Sequence, residues 1–425
     1  MRQSYKFLKT ASAELQFKIN QSIVFNYLQS KGPISRAKIS RDLKISAPAV
    51  SRVMEKLIRD AYVIETEKQE TKSGKRPTLL AVNKDRGYVL GVDLGSENIK
   101  MCLMDYSGKI SKRYKGHAVL DHIKIGEILK DEITKVFDDC KKNKNNHSNS
   151  SEIKAICIAI PADVDVATGK IISAPLYGNW RNINLKESLC SAFDIPVFIE
   201  NNVNLCVLGE KSYGKGKDYS NIVFLAVSNG IKAGIMIDNF LYKGENGFAG
   251  EIGFMIANTQ NLGFEIINKG FLEKNASVTG IKNKAVRCIK EGKKSLIMKL
   301  AGNDLNKIDA SLVCEAAIKK DSLAVEILEN TVKLLAIAII NLILILNPKM
   351  IILGGYILDL PHKNELLIKP IKKYIEQSIP FNMPIIELSE LGNDATIIGS
   401  CFMAMETLLT GKFPYKIEKI DMNRI

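Results

Sequence analysis

The chain has 425 residues, too many for one small domain, and its 46% hydrophobic content is material for two or three cores. Its 60 Lys plus Arg against 46 Asp plus Glu leave a net charge of +14, and residues 1–86 hold 18 basic against 8 acidic side chains, so ten of those charges sit in the first fifth. A basic N-terminal module on a nearly neutral body points to a polyanion, and DNA is the usual one; acidic lipid is disfavoured because no basic amphipathic helix with bulky aromatics accompanies the charge.

Residues 13–30 read as a helix with Leu15, Ile19, Ile23 and Tyr27 on one side, stopped by Gly32-Pro33. Two short helices follow within residues 35–60, with Ser35 and Ser46 each placed to cap one. Ile39 and Leu43 lie four apart on the first, while Val50, Val53 and Leu57 fall at i, i+3 and i+7 on the second, so each turns an apolar stripe to the other. The second faces outward with Ser51, Arg52, Glu55, Lys56 and Arg59. This is the pattern of a helix-turn-helix, whose second helix enters the major groove. Candidate DNA contacts are Ser35 and Arg36 on the first helix, and Ser46, Ala47, Pro48, Ala49, Ser51, Arg52 and Lys56 on the second. Strands are expected at 62–66 and 78–82. The loop between them carries TKSGKRP, with Lys72, Lys75 and Arg76 around Gly74, which makes residues 1–84 a winged helix whose wing can reach phosphates or a narrow minor groove. A solvated linker is the plainer reading of that loop.

Beyond it, YVLGVDLG at 88–95 is a buried strand running into an acidic turn, 99–105 is its return strand, and Tyr106-Ser107-Gly108 is a hairpin turn. A helix over 123–142 leads into the polar tract NKNNHSNSS, and strands at 153–160 and 197–200 complete a first α/β lobe over 85–200. A second lobe, 201–393, opens with strands at 222–227 and 234–238. IKMCLMD at Ile99 and IKAGIMID at Ile231 echo each other after glycine-bearing turns, as expected for one α/β unit duplicated around a cleft. LLAIAIINLILIL at 334–346 is too short to span a bilayer and runs into Asn347-Pro348, so it reads as a buried helix feeding a core strand. A last helix, 394–412, is expected to return to the first lobe. The eight cysteines show no zinc-knuckle or redox spacing, the four histidines show no ligand spacing, and MRQSYKFLK is no signal peptide. A reduced, cytosolic protein without metal is expected, with no membrane contact.

Taken in order, the motifs resemble the ROK family of repressors, open reading frames and sugar kinases. SRAKISRDLKISAPAVSRVMEKL is similar to its DNA-reading segment, SGKRPTLLAVN to its wing and linker, and GYVLGVDLGSENIKMCLMDYSG to its first phosphate-loop hairpin. FIENNVNLCVLGEKSYG resembles its substrate-side motif, SNGIKAGIMIDNFLYKGENGFAGEIGFM its signature, and NPKMIILGG its nucleotide-side strand. The pattern is most similar to the xylose-repressor branch. The resemblance implies a winged helix-turn-helix followed by a two-lobed, actin-like body of the sugar-kinase, ribonuclease H-like kind. It further implies a monosaccharide effector between the lobes, a double-stranded palindromic operator, and a homodimer or dimer of dimers.

Asn201, Glu251 and Glu273 match positions at which the family grips sugar hydroxyls, work that amides and carboxylates can do. Asn202, beside them, stands where family kinases carry the aspartate that deprotonates the attacking hydroxyl, and an amide cannot act as that base. The first phosphate loop has Ser96 and Glu97 where kinases have glycine and threonine, and Glu97 repels a triphosphate. Lys232 replaces a glycine that lets the backbone approach phosphate, though a lysine can itself attract an anion. Phe254 and the run NTQNLGFEIINKGFLE replace the family's zinc-binding histidine and cysteines, so neither zinc nor ATP nor another cofactor is expected. Phe254 is expected beneath the sugar or its loop, and Trp180 either near the cleft or in the core. The expected protein is a sugar-responsive regulator, a repressor that leaves its operator when the sugar binds, and not an enzyme. A sugar kinase with a DNA-binding appendage and a DNA-binding protein whose body only dimerises are the alternatives, separated by ATP turnover and by sugar affinity.

Overall fold

Three helices open the chain, α1 (Ala13–Lys31), α2 (Arg36–Leu43) and α3 (Ala47–Arg59), in a computed structural model that describes residues 13–68, 77–95, 98–117, 124–142, 152–165, 168–174, 180–257 and 270–411. Ser35 caps α2, its hydroxyl accepting from the Lys38 N–H at 3.4 Å. Ser46 occupies the same position before α3 but makes no side-chain capping bond. Pro48 in the first turn starts that helix instead, because its ring presets φ and it brings no N–H to satisfy. Val50, Val53 and Leu57 are buried as their spacing predicts, with Met54 beside them, and so is Ile39 of the α2 helix packed alongside. Helix α1 departs from expectation: Gln21, Val24, Phe25 and Leu28 are buried and Ile23 is exposed. The expected stripe assumed a single neighbour, whereas α1 packs on α3 and also reaches the chain's last helix, so two contacts set its face. Strands β1 (Val63–Lys68) and β2 (Thr78–Val82) pair antiparallel as the stem of the wing; Lys72, Lys75 and Arg76 lie outside the described residues.

The described chain forms two compact units. The first holds everything up to Ala159, then Asn184–Ile199 and the residues from Ser400; the second holds Ile160–Ile183 and Glu200–Gly399. The winged helix therefore shares a unit with the first large sheet. That sheet contains β3 (Tyr88–Leu94), β4 (Asn98–Asp105), β5 (Ile110–His117) and β6 (Ile153–Ile160), accompanied by α4 (Ile125–Lys142). A separate three-stranded sheet follows, β7 (Asp163–Val164), β8 (Ile171–Ala174) and β9 (Trp180–Ile183), and then α5 (Leu185–Phe193), β10 (Val197–Asn201) and α6 (Asn202–Tyr213). The second large sheet comprises β11 (Ile222–Val227), β12 (Ile231–Ile237), β13 (Phe240–Leu241), β14 (Met350–Gly354) and β15 (Ile385–Leu388).

The two large sheets run in the orders β10-β6-β3-β4-β5 and β15-β14-β11-β12-β13. In each, the first strand pairs antiparallel with the next in the chain and parallel with a later one: β3 with β4 and β6, β11 with β12 and β14. The echo between Ile99 and Ile231 is thus the return strand of the same hairpin in both copies. Between β13 and β14 lie α7 (Phe271–Ala276), α8 (Val278–Lys290), α9 (Leu296–Leu300), α10 (Ala310–Ile318) and α11 (Ser322–Leu346), with α12 (Lys369–Ser378) and α13 (Ala395–Thr410) later. The apolar run expected at 334–346 is the C-terminal half of α11, which is long and apolar enough to cross a membrane yet buries Leu328, Leu335, Ile339 and Ile343 in the core of the second unit. Helix α6 meets the first turn of α13 through two glycines. A Cβ on Gly399 would stand 1.8 Å from the Leu205 carbonyl oxygen and one on Gly209 2.4 Å from that of Ala395, so only glycine permits this approach.

Candidate DNA-binding face and ligand site

At the start of α3, Ser46, Ala47 and Pro48 are exposed and Ala49 and Ser51 half-buried, which leaves the first turn open for a groove. Arg52 follows one turn on, exposed, its guanidinium 5.6 Å from the Phe17 ring centroid of α1. With Glu55, Lys56 and Arg59 it borders a shallow hollow closed on the other side by Ala13, Glu14 and Phe17. Lys56 turns back to Asp60 at 2.7 Å and Arg36 lies 3.6 Å from Glu65, so Arg52 is the candidate whose charge points outward with no carboxylate within ion-pair distance among the described residues.

A set of buried polar contacts seats this module within the first unit, and no motif announces it. Gln21 donates to the Leu409 carbonyl at 2.9 Å, Tyr62 Oη to that of Leu408 at 3.1 Å, and Gln29 to that of Tyr106 at 2.9 Å. Asn26 reaches the buried Glu406 carboxyl at 3.4 Å, and burial holds that carboxyl above its usual range. Arg86, just after the winged helix, lies 3.8 Å over the Tyr62 ring and donates to the Asp60 carbonyl at 2.6 Å, while Phe25, Tyr62 and Tyr106 meet edge to face.

The four residues expected at the sugar lie in the second unit. Asn201 caps α6: its Oδ1 accepts from the Val203 N–H at 2.9 Å, and its Nδ2 donates to the Ala162 carbonyl at 2.9 Å. Asn202 is the half-buried first residue of the same helix. Before them, Glu200 accepts from the Asn201 N–H at 2.8 Å and the Asn204 side chain at 2.9 Å, and its other oxygen pairs with Lys243; both side chains are buried.

Glu251 follows Gly250, whose φ of +86° and 1.9 Å Cβ clearance to the Ala233 carbonyl fold the signature loop down on β12. From there the Glu251 carboxylate pairs with Lys232, which stands on β12, and Asp163 of β7 lies 3.8 Å from the same ammonium. Glu273 of α7 accepts from the Ile231 N–H at 3.3 Å and packs against Gly230 and Gly253. The two glutamates thus bind neighbouring residues at the start of β12, Glu251 the Lys232 side chain and Glu273 the Ile231 backbone, and Asn201 bonds Ala162, the residue before Asp163. Burial and then the Glu251 carboxylate push the Asp163 carboxyl up to about 6, while Lys232 pulls it back.

Sequence reasoning missed Asp163, Glu200 and Lys243. Asp163 follows the buried strand β6 by three residues, at a strand's carboxyl end, where open α/β sheets place ligands; Glu200 is the one acid in the apolar strand VFIEN. Phe254, at the end of the short turn Ile252–Phe254, is 44% exposed, so of the two places expected for it, beneath the sugar or beneath its loop, the loop does not cover it. Trp180 is buried at the start of β9, in the core. Ser96, Glu97 and residues 258–269 lie outside the described residues.

The duplicated sheets, the signature loop folded on β12 and the capped α6 are matched by a family model, that of the ROK family, over residues 89–407. The chain belongs to the ROK family. It is 30% identical to a xylose repressor of Caldicellulosiruptor bescii over 396 residues, covering 92% of this chain and 96% of that one. It is likewise 30% identical to a glucokinase of Thermotoga maritima, but over 75% of this chain and 98% of the kinase. A crystal structure of a ROK family transcriptional regulator, a homologue of the Escherichia coli MLC protein, superposes with a TM-score of 0.78 at 26% identity, covering 93% of this chain and 97% of that one. The fold is accordingly a winged helix on the two-lobed α/β body of ROK regulators and sugar kinases, and the repressor match takes in 92% of this chain where the kinase match takes in 75%.

Proposed function

We propose that this ROK protein is a sugar-responsive transcriptional repressor, a homodimer on a two-fold operator, which a monosaccharide held by Asn201, Glu251 and Glu273 releases. The observation that supports it best is the combination in one chain of an outward-facing recognition helix with a kinase-like site whose base position is an amide. Asn202 opens α6 where phosphoryl transfer needs a carboxylate, and an amide has no proton affinity at neutral pH. Nor does Glu97, in the loop that would hold nucleotide, favour a triphosphate. A ligand can move the DNA equilibrium only by binding the two states differently, so sugar and operator weaken each other by one common factor, about 5–150 for a modest switch.

Operator binding titrated with D-xylose, D-glucose and N-acetyl-D-glucosamine tests the reading. One sugar is expected to release the DNA, and ATP with that sugar is expected to give no phosphorylated product. Arg52→Ala is expected to weaken operator binding by about 1–3 kcal/mol through the loss of a base contact. Steady ATP-dependent sugar phosphorylation would refute the sensor reading, and an Arg52→Ala protein that still prefers operator to scrambled duplex by the wild-type margin would refute the recognition helix.

A further inference from the structure

The feature that separates this site from a generic sugar cradle is Lys232. It stands where the resemblance expects glycine, and its ammonium is turned inward: it pairs with Glu251 and lies 3.8 Å from Asp163. The three side chains are 13%, 25% and 24% exposed, so the group is partly open to solvent. Resting on the proposed sugar site, we infer that Lys232 is a specificity-determining residue, a tethered occupant that fills the signature glutamate until an uncharged sugar displaces it.

Charge and donor chemistry lead to this. An ammonium offers three N–H donors and no acceptor, and here it serves two carboxylates, the partners that sugar hydroxyls would otherwise serve. As an anion hook Lys232 is already neutralised: Glu251 and Asp163 are two carboxylates against its one ammonium, and a phosphorylated or acidic sugar meets net negative charge. As a structural ion pair it is poorly placed, because the group is partly open to solvent and water competes for both partners. A neutral polyol suffers no such repulsion; its hydroxyl donors replace the ammonium on Glu251, and the lysine swings outward on its flexible stem to be hydrated. Lys232 thereby lowers the affinity of every sugar, most of all for one that cannot supply donors at the Glu251 position.

Two variants of the full chain test this. In Lys232→Gly the stem and charge both leave; in Lys232→Met the stem stays and the charge leaves. Calorimetry with D-xylose, D-glucose, N-acetyl-D-glucosamine and D-glucose 6-phosphate reads the affinities. The sugar that binds is expected to bind about five- to tenfold tighter to Lys232→Gly than to wild type, with Lys232→Met between them, and the phosphate is expected to gain nothing. Weaker sugar binding in both variants, or glucose 6-phosphate binding that disappears with the lysine, would overturn the proposal by making Lys232 a ligand contact. A ligand-free arm follows the Asp163 carboxyl by carbon-13 NMR, where Lys232→Met is expected to move its titration upward from about 6. An unmoved midpoint overturns the ion pair and the proposal with it. A moved midpoint with no sugar bound by any of the three proteins overturns the proposal too, and identifies the sugar reading of the site as what failed.

Discussion

Two lysine–glutamate pairs lie in the same unit, and they do different work. In Glu200–Lys243 the side chains are 2% and 8% exposed, and Glu200 is further held by the Asn201 N–H and the Asn204 amide, so both oxygens of the buried carboxylate have donors. In Glu251–Lys232 the partners are 25% and 13% exposed, and the ammonium is shared with Asp163 across 3.8 Å. The first pair fixes the turn that presents Asn201 and Asn202. The second holds the carboxylates proposed to meet a ligand. What separates a strut from a binding group here is the number of other partners each carboxylate has, not the pairing of charges.

Removing Lys243 is the severest test of that contrast. Lys243→Met is expected to cost about 3–5 kcal/mol, read from urea unfolding, because it leaves Glu200 charged and buried without its counter-ion. A loss no larger than that of Lys232→Met would erase the distinction. A smaller effect sharpens it through pH. Because Asp163 holds its proton more tightly folded than unfolded, its carboxyl being pushed from an ordinary 3.8 to about 6, it contributes stability below about pH 4 that is lost as pH rises through 6. Asp163→Asn is expected to remove that slope, so the wild type should lose on the order of 1–3 kcal/mol relative to the variant between pH 4 and 7. A difference that stays constant over this range would place Asp163 outside the open pair. The smallest effect is expected from Lys232→Met, within about 1 kcal/mol by the same unfolding assay, as befits an ion pair that water can reach.

How much of this was legible in the sequence depended on whether one neighbour or several decide a residue's place. Val50, Val53 and Leu57 have a single helical face to fill, and their spacing located them; the strands at 153–160 and 222–227 are apolar but for Lys154, and both were read to the residue. Helix α1 answers to α3 and to α13 at once, so the apolar period pointed to Ile23 while the structure buried Gln21, whose amide has a carbonyl waiting 388 residues away. Ser46 shows that a cap residue in the right place need not cap when a proline already starts the helix. At the proposed ligand site Glu251 and Glu273 were located by motif, but the partners that define the chemistry of Glu251, Lys232 and Asp163, come from two other strands, and nothing local in the sequence joins a β7 aspartate to a β12 lysine.

The seat of the winged helix lies at the far end of the chain, on the Leu408 and Leu409 carbonyls and the Glu406 carboxyl. During synthesis Gln21 and Tyr62 leave the ribosome well over 300 residues before those partners exist, an interval of roughly 20–70 s at about 5–20 residues per second. The winged helix is thus made long before the residues of α13 that help to seat it. A message cut short before α13 would release a basic fragment that lacks the Leu408, Leu409 and Glu406 contacts and keeps only those to Tyr106.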